Sequence, residues 1–381
     1  MKILVFSPPF LGHLNILRKM IENNRDIEFK LVITGWKNII IDGELNLNKS
    51  TLTETDPALW TFKRTYELLD DCLEVTKTYN PDLIIYDFFC LEAYFVGRLL
   101  NIPAWASIPS MLGPNDKDDY LKEKIKLPEN QEYLKKLEEK YKIKIEDIEM
   151  ISDGLYFPEK NNIVWSYPEI ITKDFMTGRK ENKFYFVGNY NTYRKQEKEI
   201  IYFSFGTVVM NNLWNQQEET RELLKEFIQE VSKKLKEEKV IFVTQGKPIL
   251  ENYPSNWEIK ENVDQVEFLS RSKLFITHGG NNSFHESFLQ KVPMIVIPFF
   301  GDQILTGQRV EKLGIGINLG IDTSIDTKKS KVFLNKELAN RLTQAVKEIL
   351  NNPKYQNKLD NFKLTNDNLN ELIKKQFSSV F

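Results

Sequence analysis

Short apolar runs alternate along this chain with longer stretches in which apolar residues recur every three or four positions. Residues 3–7 form a continuous apolar run, which is typical of a parallel strand covered on both faces. The stretch that follows places Ile16, Leu17, Met20 and Ile21 on one face of a predicted helix. The first half continues with predicted strands at 29–34, 83–87 and 104–108, and with predicted helices near 60–78 and at 91–100. This βαβα order predicts a doubly wound parallel sheet, and hence an α/β fold.

A second α/β series follows a charged connection. Short strands are predicted at 163–165 and 184–187, and residues 189–192 with the charged run RKQEKE after them predict a linker. Further strands are predicted at 200–205, 240–244, 266–269, 274–277 and 294–298, with helices between them. We therefore expect two Rossmann-like domains, at 1–190 and 191–360, and a C-terminal helix at 361–381 that crosses back to the first domain. Residues 115–153 are highly charged and predict a helical hairpin or lid, with a break at 128–130.

The composition is that of an ordinary globular protein. The 381 residues, 41% of them hydrophobic and 28% charged, suffice for two domains with separate cores. A net charge of −2 gives no basic footprint, so a nucleic-acid partner is not expected. The N-terminus lacks the pattern of a signal peptide, and no apolar run approaches the roughly 18 residues that span a bilayer. Cys72 and Cys90 lie in apolar contexts that favour reduced thiols, and we expect a monomeric cytoplasmic protein without a membrane segment.

Polar residues follow several of the predicted strands. His13, Asp87, Thr207 and His278 all lie at or just after the ends of predicted strands. Ligands of open α/β sheets bind outside the carboxyl ends of the strands. These four residues would therefore converge on a shared cleft if the two domains face one another.

The segment ITHGGNNSFHE at 276–286 runs from a strand through two glycines into a helix. Gly280 lets the backbone approach a ligand closely, and a helix N-terminus offers free N–H groups and a positive dipole to an anion. His278, Asn282 and Ser283 add side-chain donors, and this set suits a diphosphate. Glu286 lies one turn further on, where its carboxylate suits the vicinal hydroxyls of a ribose. The alternative is that Ser283 and Glu286 form only a capping box.

This segment is part of a longer ordered pattern between residues 269 and 316. The pattern begins with the strand that ends in THGG, the NS pair and the glutamate. It continues with VPMIVIP, GDQ and QRVEKLGIG. The pattern resembles the signature of the UDP-glycosyltransferases of the GT-B fold, an inverting family that modifies small lipophilic acceptors. Weaker similarity extends to FSFGT at 203–207 and to FSPPFLGHLN at the start of the chain. The resemblance implies two Rossmann-like domains facing across a cleft, with a UDP-sugar as co-substrate and no further cofactor.

The resemblance also implies roles for residues of the second half. His278, Asn282 and Ser283 would hold the diphosphate together with the Gly280 backbone, and Glu286 would hold the ribose.

Three further donor contacts follow from the same resemblance. Thr207 matches a small hydroxyl residue that contacts the phosphates, and Asp302 and Gln303 would hydrogen-bond the sugar hydroxyls. Gln265 matches a glutamine beside the uracil, although Asp264 stands where the family has proline.

A histidine in the first half suits the chemistry of glycosyl transfer. A base must take the proton of the acceptor hydroxyl, and a neutral imidazole suits this at cytoplasmic pH. His13 lies in the turn after the first strand, and the resemblance implies that it is this base. Asp87 matches the family's partner aspartate, and an unpaired carboxylate after so apolar a strand would be costly. Asp82 begins the same strand and points to its wrong end.

The expected reaction is a single in-line displacement that gives a β-glycoside without a metal. The Asp-x-Asp pattern of Asp116 and Asp118 lies in the charged insertion rather than at a strand end. Apolar residues near strand ends suggest a lipophilic or phenolic acceptor, although most of them suit a core equally well: Phe10, Phe88, Phe89, Trp105, Met111 and Leu112. Glucose is favoured as the sugar because no arginine is placed for a uronate carboxylate.

Three alternatives stay open. A glycolipid-forming transferase of the MurG type would need a membrane-docking face on the first domain. An epimerase of UDP-N-acetylglucosamine would need an acidic cluster at the anomeric centre, in place of His13 and Asp87. A catalytically silent nucleotide-sugar-binding protein would keep the second-half motif and lose the base.

Overall fold

The computed structural model describes residues 1–36, 40–50, 62–113, 125–143, 149–151, 154–171, 181–215, 217–320 and 334–378. The chain divides into two compact units. Unit 1 is Met1–Tyr190 together with Leu364–Phe381, and unit 2 is Asn191–Lys363. The residues of the predicted insertion that lie outside the described ranges include Asp116 and Asp118.

Unit 1 is built on a seven-stranded parallel sheet with the strand order β3-β2-β1-β4-β5-β8-β9. Its strands are β1 Lys2–Ser7, β2 Glu28–Trp36, β3 Leu45–Ser50, β4 Leu83–Asp87, β5 Ala104–Ile108, β8 Asn161–Val164 and β9 Lys183–Phe186. A separate antiparallel hairpin consists of β6 Glu149–Ile151 and β7 Gly154–Tyr156. The helices described in unit 1 are α1 Leu11–Asn23, α2 Phe62–Tyr79, α3 Leu91–Leu100, α4 Pro128–Tyr141 and, after unit 2, α12 Leu369–Ser378.

The break predicted at 128–130 is instead the start of a helix. Pro128 is the first residue of α4, where a missing N–H costs nothing because that N–H has no partner within the helix.

The C-terminal helix packs into the core of unit 1. Leu369 and Ile373 are buried in one cluster with Ile3 and Val5 of β1 and with residues of α1. The segment before the helix is fixed too, because Asp367 exchanges backbone and side-chain hydrogen bonds with Phe186 at the end of β9. The C-terminal helix is therefore part of unit 1, although unit 2 separates it from the rest of that unit in the sequence.

Unit 2 is built on a six-stranded parallel sheet with the order β12-β11-β10-β13-β14-β15. Its strands are β10 Ile200–Ser204, β11 Val240–Val243, β12 Trp257–Lys260, β13 Ser272–Thr277, β14 Met294–Val296 and β15 Gly316–Asn318. Its described helices are α5 Gly206–Asn215, α6 Glu218–Lys234, α7 Gln265–Ser270, α8 Asn281–Leu289, α9 Asp302–Leu313, α10 Lys336–Asn351 and α11 Lys354–Asp360.

One predicted strand of unit 2 is wrong. Residues 266–269 lie in helix α7 rather than in a strand, because Asp264 caps the helix by accepting from the N–H groups of Val266 (3.1 Å) and Glu267 (3.3 Å). The strand of this region lies earlier, at Trp257–Lys260, on the edge of the sheet.

The predicted linker residues are attached to helix α8. The side chain of Gln290, which is buried, donates to the Thr192 carbonyl (2.7 Å) and accepts from the Arg194 N–H (2.9 Å). Lys198 donates to the carbonyl of Gln290 at 2.8 Å, at the carboxyl end of the same helix. The connection into unit 2 therefore follows α8 closely.

The two sheets share one topological feature. In each, a central pair of parallel strands marks the point where the strand order reverses: β1 beside β4 in unit 1 and β10 beside β13 in unit 2. The carboxyl ends of each pair lie side by side, which is where open α/β sheets bind ligands. In the described part of the chain, none of the helices has the length and apolarity needed to cross a membrane.

Candidate active site

His13 and Asp87 meet at the switch point of unit 1. His13 lies in the first turn of α1, directly after β1, and Asp87 is the last residue of β4. The Nδ1 atom of His13 lies 2.8 Å from Oδ2 of Asp87. The aspartate is fully buried, whereas the histidine side chain is 20% exposed. An ionised carboxylate only accepts hydrogen bonds, so Nδ1 carries the proton and Nε2 of the neutral ring keeps its lone pair.

A second hydrogen bond orients the carboxylate. The other oxygen of Asp87, Oδ1, accepts from the backbone N–H of Phe89 at 3.0 Å. This bond closes a tight turn immediately after β4. The carboxylate therefore has one oxygen on the backbone and one on His13, which holds the imidazole in one orientation.

Aromatic rings surround His13. The ring of Phe89 lies 5.2 Å from it, and those of Phe10 and Phe88 lie 5.8 and 6.1 Å away between centroids. Phe10 and Phe89 are partly exposed, and Phe88 is buried. Trp105, which was a candidate for an apolar pocket, belongs to the buried core of the sheet. Met111 and Leu112, two further candidates, are buried.

His278 lies between two glycines at the switch point of unit 2. It follows β13, and a Cβ atom added at Gly206 or at Gly280 would come within 2.6 or 2.5 Å of its ring. Any other residue at these two positions would displace the imidazole. Burial lowers the pKa of His278 to about 4, so the ring is neutral at physiological pH. Its Nδ1 is buried and has no hydrogen-bond partner within the described ranges.

The N-terminus of α8 lies directly beside this histidine. Gly279 has a left-handed backbone (φ 85°), and its N–H donates to the Thr277 hydroxyl at 3.1 Å. Gly280 precedes the first helical residue, Asn281, whose buried side-chain amide has no hydrogen-bond partner among the described residues. Asn282 follows in the same first turn. A strand, a glycine turn and a helix start in this order offer free backbone N–H donors to an anion.

Ser283 and Glu286 are joined by Gln265 rather than by a capping box. Ser283 is the third residue of α8, so it is not the N-cap that such a box requires. The side-chain amide of Gln265 donates to Glu286 Oε2 at 2.7 Å and to the Ser283 hydroxyl at 3.1 Å. Asn191 donates to the other oxygen of Glu286 at 3.3 Å. Three of the predicted donor-site residues thus form one hydrogen-bonded group.

The remaining predicted residues lie at neighbouring strand ends. Thr207 is in the first turn of α5 and donates to the side chain of Gln245 at 3.2 Å. Asp302 is the first residue of α9 and follows the loop that connects this helix to β14. Gln303 is buried, and its amide oxygen accepts from the N–H groups of Phe299 (2.9 Å) and Phe300 (3.3 Å). Gln303 therefore shapes the loop before α9.

Two residues that the sequence interpretation did not single out support this group. Gln245 accepts a hydrogen bond from Thr207, and its backbone is in the left-handed region (φ 54°) that non-glycine residues rarely adopt. No sequence signal predicts this conformation or this contact. Asn191 reaches Glu286 from the linker, and its position in the chain gives no hint of that contact.

His285 has a structural role. It is buried, and its Nδ1 lies 2.8 Å from the Asn281 carbonyl one turn earlier in α8. Burial lowers the pKa of His285 to about 4, against a smaller raising effect of that hydrogen bond. Within the ranges that the structure describes, no group of three or more His, Cys, Asp or Glu side chains is arranged to hold a metal ion.

Comparison with known proteins identifies this arrangement. The family model for UDP-glucoronosyl and UDP-glucosyl transferase matches residues 139–367. The NDP-glycosyltransferase YjiC of Bacillus subtilis (strain 168) is 28% identical to the chain over 389 residues, covering 91% of this chain and 93% of that protein. The 2-hydroxyacylsphingosine 1-beta-galactosyltransferase of Homo sapiens is 35% identical over 120 residues, which are 31% of this chain and 20% of that protein.

Solved structures show the same architecture. The glycotransferase of kitacinnamycin superposes with a TM-score of 0.68 at 18% identity, over 94% of this chain and 93% of that one. The calicheamicin glycosyltransferase CalG4 gives 0.65 at 17% identity, over 94% and 92%. The predicted fold class is confirmed by these likenesses, which establish a GT-B fold of two Rossmann-like domains. With the family match over more than half of its length, the chain belongs to the UDP-glucoronosyl and UDP-glucosyl transferase family and is a glycosyltransferase that uses a nucleotide-sugar donor.

Proposed function

We propose that this glycosyltransferase moves a hexose, namely glucose, from a UDP-sugar to a hydroxyl of a small lipophilic or phenolic acceptor, with inversion and without a metal. The observation that carries the proposal is the hydrogen bond of 2.8 Å between His13 and the buried Asp87. A histidine oriented by a carboxylate, with its second nitrogen unprotonated, is the arrangement of a general base.

The proposed reaction is one displacement. Nε2 of His13 takes the proton of the acceptor hydroxyl while the acceptor oxygen attacks the anomeric carbon. The bond from that carbon to the diphosphate oxygen breaks, and UDP leaves with the electron pair. Asp87 accepts a hydrogen bond from Nδ1 throughout and stabilises the imidazolium that forms. The acceptor oxygen attacks one face of the anomeric carbon and UDP leaves from the opposite face. The configuration at that carbon is therefore inverted.

The leaving diphosphate is proposed to bind at the start of α8. The backbone N–H groups there and the Thr207 hydroxyl are donors that stabilise developing negative charge, and the helix dipole adds to them. His278 is neutral and donates from one ring nitrogen without adding charge. These donors are proposed to stabilise the leaving diphosphate without a metal ion. We therefore expect transfer to persist when excess EDTA removes divalent cations.

The identity of the donor is argued from Glu286 and Asp302. A carboxylate that accepts from both vicinal hydroxyls favours a ribose over a 2′-deoxyribose, so Glu286 supports UDP over dTDP. Asp302 is proposed, with Gln303, to bind sugar hydroxyls. The Asp302 carboxylate would repel the carboxylate of a glucuronate, and this favours glucose. Gln265 is proposed to lie beside the uracil.

The acceptor class is argued from the rings beside the base. Phe10 and Phe89 are partly exposed aromatic side chains that flank His13. They present apolar surface next to the atom that takes the proton, which suits an aromatic or aliphatic alcohol.

The test is a transfer screen. The protein is incubated with UDP-glucose and a panel of phenols and lipophilic alcohols, with EDTA present, and products are detected by mass. We expect a β-glucoside with at least one acceptor class, and less product with dTDP-glucose or UDP-glucuronate. The variant His13→Ala should lose about 10²–10⁴-fold in kcat while it binds UDP as the wild type does.

The controls separate the base from the donor site. Calorimetry with UDP measures the donor site alone. Unchanged turnover in His13→Ala would exclude His13 as the base. UDP binding without transfer to any acceptor would favour a nucleotide-sugar-binding protein instead.

A further inference from the structure

The turn after β4 is fixed from behind by a buried arginine. Arg64 lies in the first turn of α2 and is only 1% exposed. Its Nη2 donates to the backbone carbonyl of Phe89, the residue whose N–H binds Asp87. Both backbone polar groups of Phe89 are therefore hydrogen-bonded, its carbonyl oxygen to the arginine and its N–H to the aspartate.

A continuous series of contacts leads from this arginine to the base. Arg64 holds the Phe89 carbonyl, the Phe89 N–H holds Oδ1 of Asp87, and Oδ2 of Asp87 holds Nδ1 of His13. The ring of Phe89 also packs against the His13 imidazole at 5.2 Å between centroids. A change in the backbone dihedral angles of Phe89 would therefore alter both the N–H···Asp87 hydrogen bond and the ring contact with His13.

The charge of Arg64 is costly where it lies. Its carboxylate neighbour, Glu92, is fully buried near the start of α3, and the closest approach of the pair is 3.5 Å. Burying an ion pair costs several kcal/mol per ion before any gain, and an approach of 3.5 Å offsets little of that cost. If packing were the only role of Arg64, a hydrophobic side chain of similar size would fill the same space without this desolvation cost.

Another ion pair of unit 1 shows what a purely structural arrangement looks like. Arg98 makes two hydrogen bonds to Glu159, at 2.7 and 3.1 Å, and Glu159 also accepts from the Tyr86 hydroxyl at 2.9 Å. That arginine is matched to its carboxylate and is partly exposed. Arg64 instead directs its guanidinium at a backbone carbonyl in the turn beside the catalytic pair.

We propose that Arg64, held by Glu92, is a positioning residue that fixes the backbone conformation of Phe89 and thereby keeps Asp87 aimed at His13. The inference rests on the proposed role of His13 as base. Without the guanidinium, the Phe89 carbonyl lacks its charged donor and the backbone dihedral angles of Phe89 are less restrained. Oδ1 of Asp87 then loses its N–H donor, the carboxylate rotates, and the neutral His13 ring populates the form protonated on Nε2. That form has no lone pair toward the acceptor.

The test reads the tautomer of His13 directly by NMR. The chain has only three histidines, so a sample labelled with ¹⁵N in the histidine rings gives few signals, and His13→Ala identifies that of His13. The variants are Arg64→Met, which removes the donor, and Arg64→Lys, which keeps a charge. Leu68→Ala is the matched control, because Leu68 is buried one turn later on the same helix and its loss costs stability while the Arg64 guanidinium is retained.

We expect Arg64→Met to shift the His13 nitrogens toward the Nε2-protonated form and to lower kcat about 10–100-fold, with UDP affinity unchanged. Arg64→Lys should lie between Arg64→Met and the wild type in both measurements. Leu68→Ala should lower the unfolding temperature and leave the His13 nitrogens as they are. If Arg64→Met does not fold, Arg64→Lys alone decides.

Wild-type His13 signals in either folded Arg64 variant would overturn the inference, as would an equal shift in Leu68→Ala. The spectra are recorded without substrate and do not depend on transfer. Hence a His13→Ala protein that still turns over would refute the proposed base, and the spectra would still show whether Arg64 sets the tautomer.

Discussion

The two units carry different arrangements of side chains at the same topological position. In unit 1 the switch point holds one pair of side chains, His13 and Asp87, joined by a single hydrogen bond of 2.8 Å. In unit 2 it holds glycines, a helix start and neutral side chains around His278. The first arrangement concentrates its chemistry in one charge-assisted bond, and the second distributes it over many weak donors.

This difference matches the roles that we propose for the two sites. Taking a proton requires one atom of suitable basicity at one place, and only a side chain supplies that. Holding a diphosphate requires several N–H and O–H donors around a spread charge, and the backbone supplies most of them. A single substitution should therefore remove the function of unit 1 but only weaken that of unit 2.

The largest expected effect is that of Asp87→Asn. An asparagine keeps the size of the side chain but presents an amide that donates as well as accepts, so the His13 tautomer is no longer enforced. We expect kcat to fall on the order of 10³-fold, with UDP affinity unchanged, in steady-state kinetics and calorimetry.

Asp82→Asn is the matched control, just before the start of the strand that Asp87 ends. Asp82 accepts from the N–H of Lys2 at 2.8 Å and immediately precedes β4, whereas Asp87 is its last residue. Its substitution should leave kcat within about twofold. Equal losses in the two variants would mean that β4 as a whole, rather than Asp87, matters.

A smaller effect is expected for Gly280→Ala in unit 2. Gly280 has an ordinary φ of −59°, so alanine causes no backbone strain, but its Cβ would lie 2.5 Å from Nε2 of His278. The displaced ring should weaken UDP binding about tenfold, or roughly 1.4 kcal/mol, with a smaller change in kcat at saturating donor.

Gly97→Ala serves as control for adding a methyl group in a tight place. Its Cβ would meet that of Ala104 at 3.1 Å in unit 1, away from the donor residues. UDP affinity measured by calorimetry should not change. A Gly280→Ala protein with wild-type affinity would show that His278 does not contribute to donor binding.

The smallest expected effect concerns pH and stability. The pKa of His285 is lowered to about 4 by burial, whereas an unfolded histidine titrates near pH 6.5. Between these values the unfolded chain binds more protons, so the free energy of unfolding is fully retained above about pH 6.5 and falls as the pH drops toward 4. We expect His285 to account for a loss of about 1 kcal/mol between pH 7 and pH 5.5.

Urea unfolding at the two pH values measures this loss. His285→Gln keeps a donor for the Asn281 carbonyl and removes the titrating group, so the loss should be smaller in the variant. His278, with its pKa also near 4, contributes in the same direction in both proteins. Identical losses would show that His285 is not held neutral by the fold.

The pairing in unit 1 was predictable because burial of charge constrains it strongly. An aspartate at the end of the apolar run LIIYD needs a partner, and parallel neighbours bring the turn after β1 to it. The parallel sheets were predictable for a similar reason, since continuous apolar runs are typical of strands covered on both faces. The predicted GT-B fold is confirmed by the solved structures.

Short elements and long-range amide contacts were less predictable. Helix α7 has six residues, too few to show a helical period, and its apolar run resembles a strand. The spacing of Asp264 and Glu267 is a capping signal that would have identified the helix. The alternation WEIK marks the edge strand β12. No local pattern indicates that Asn191 reaches Glu286, because 95 residues separate them.

The packing of the C-terminal helix in unit 1 constrains the order in which the two units fold during synthesis. Leu369 and Ile373 are part of the buried cluster around β1, and they are synthesised after all of unit 2. Domains usually fold one after another as the ribosome releases them, starting from the N-terminus. Here the unit that carries His13 cannot complete its core until the C-terminal helix has emerged, whereas unit 2 is continuous and free to fold earlier. A nascent chain stalled before residue 364 would therefore hold a complete unit 2 and an incomplete unit 1.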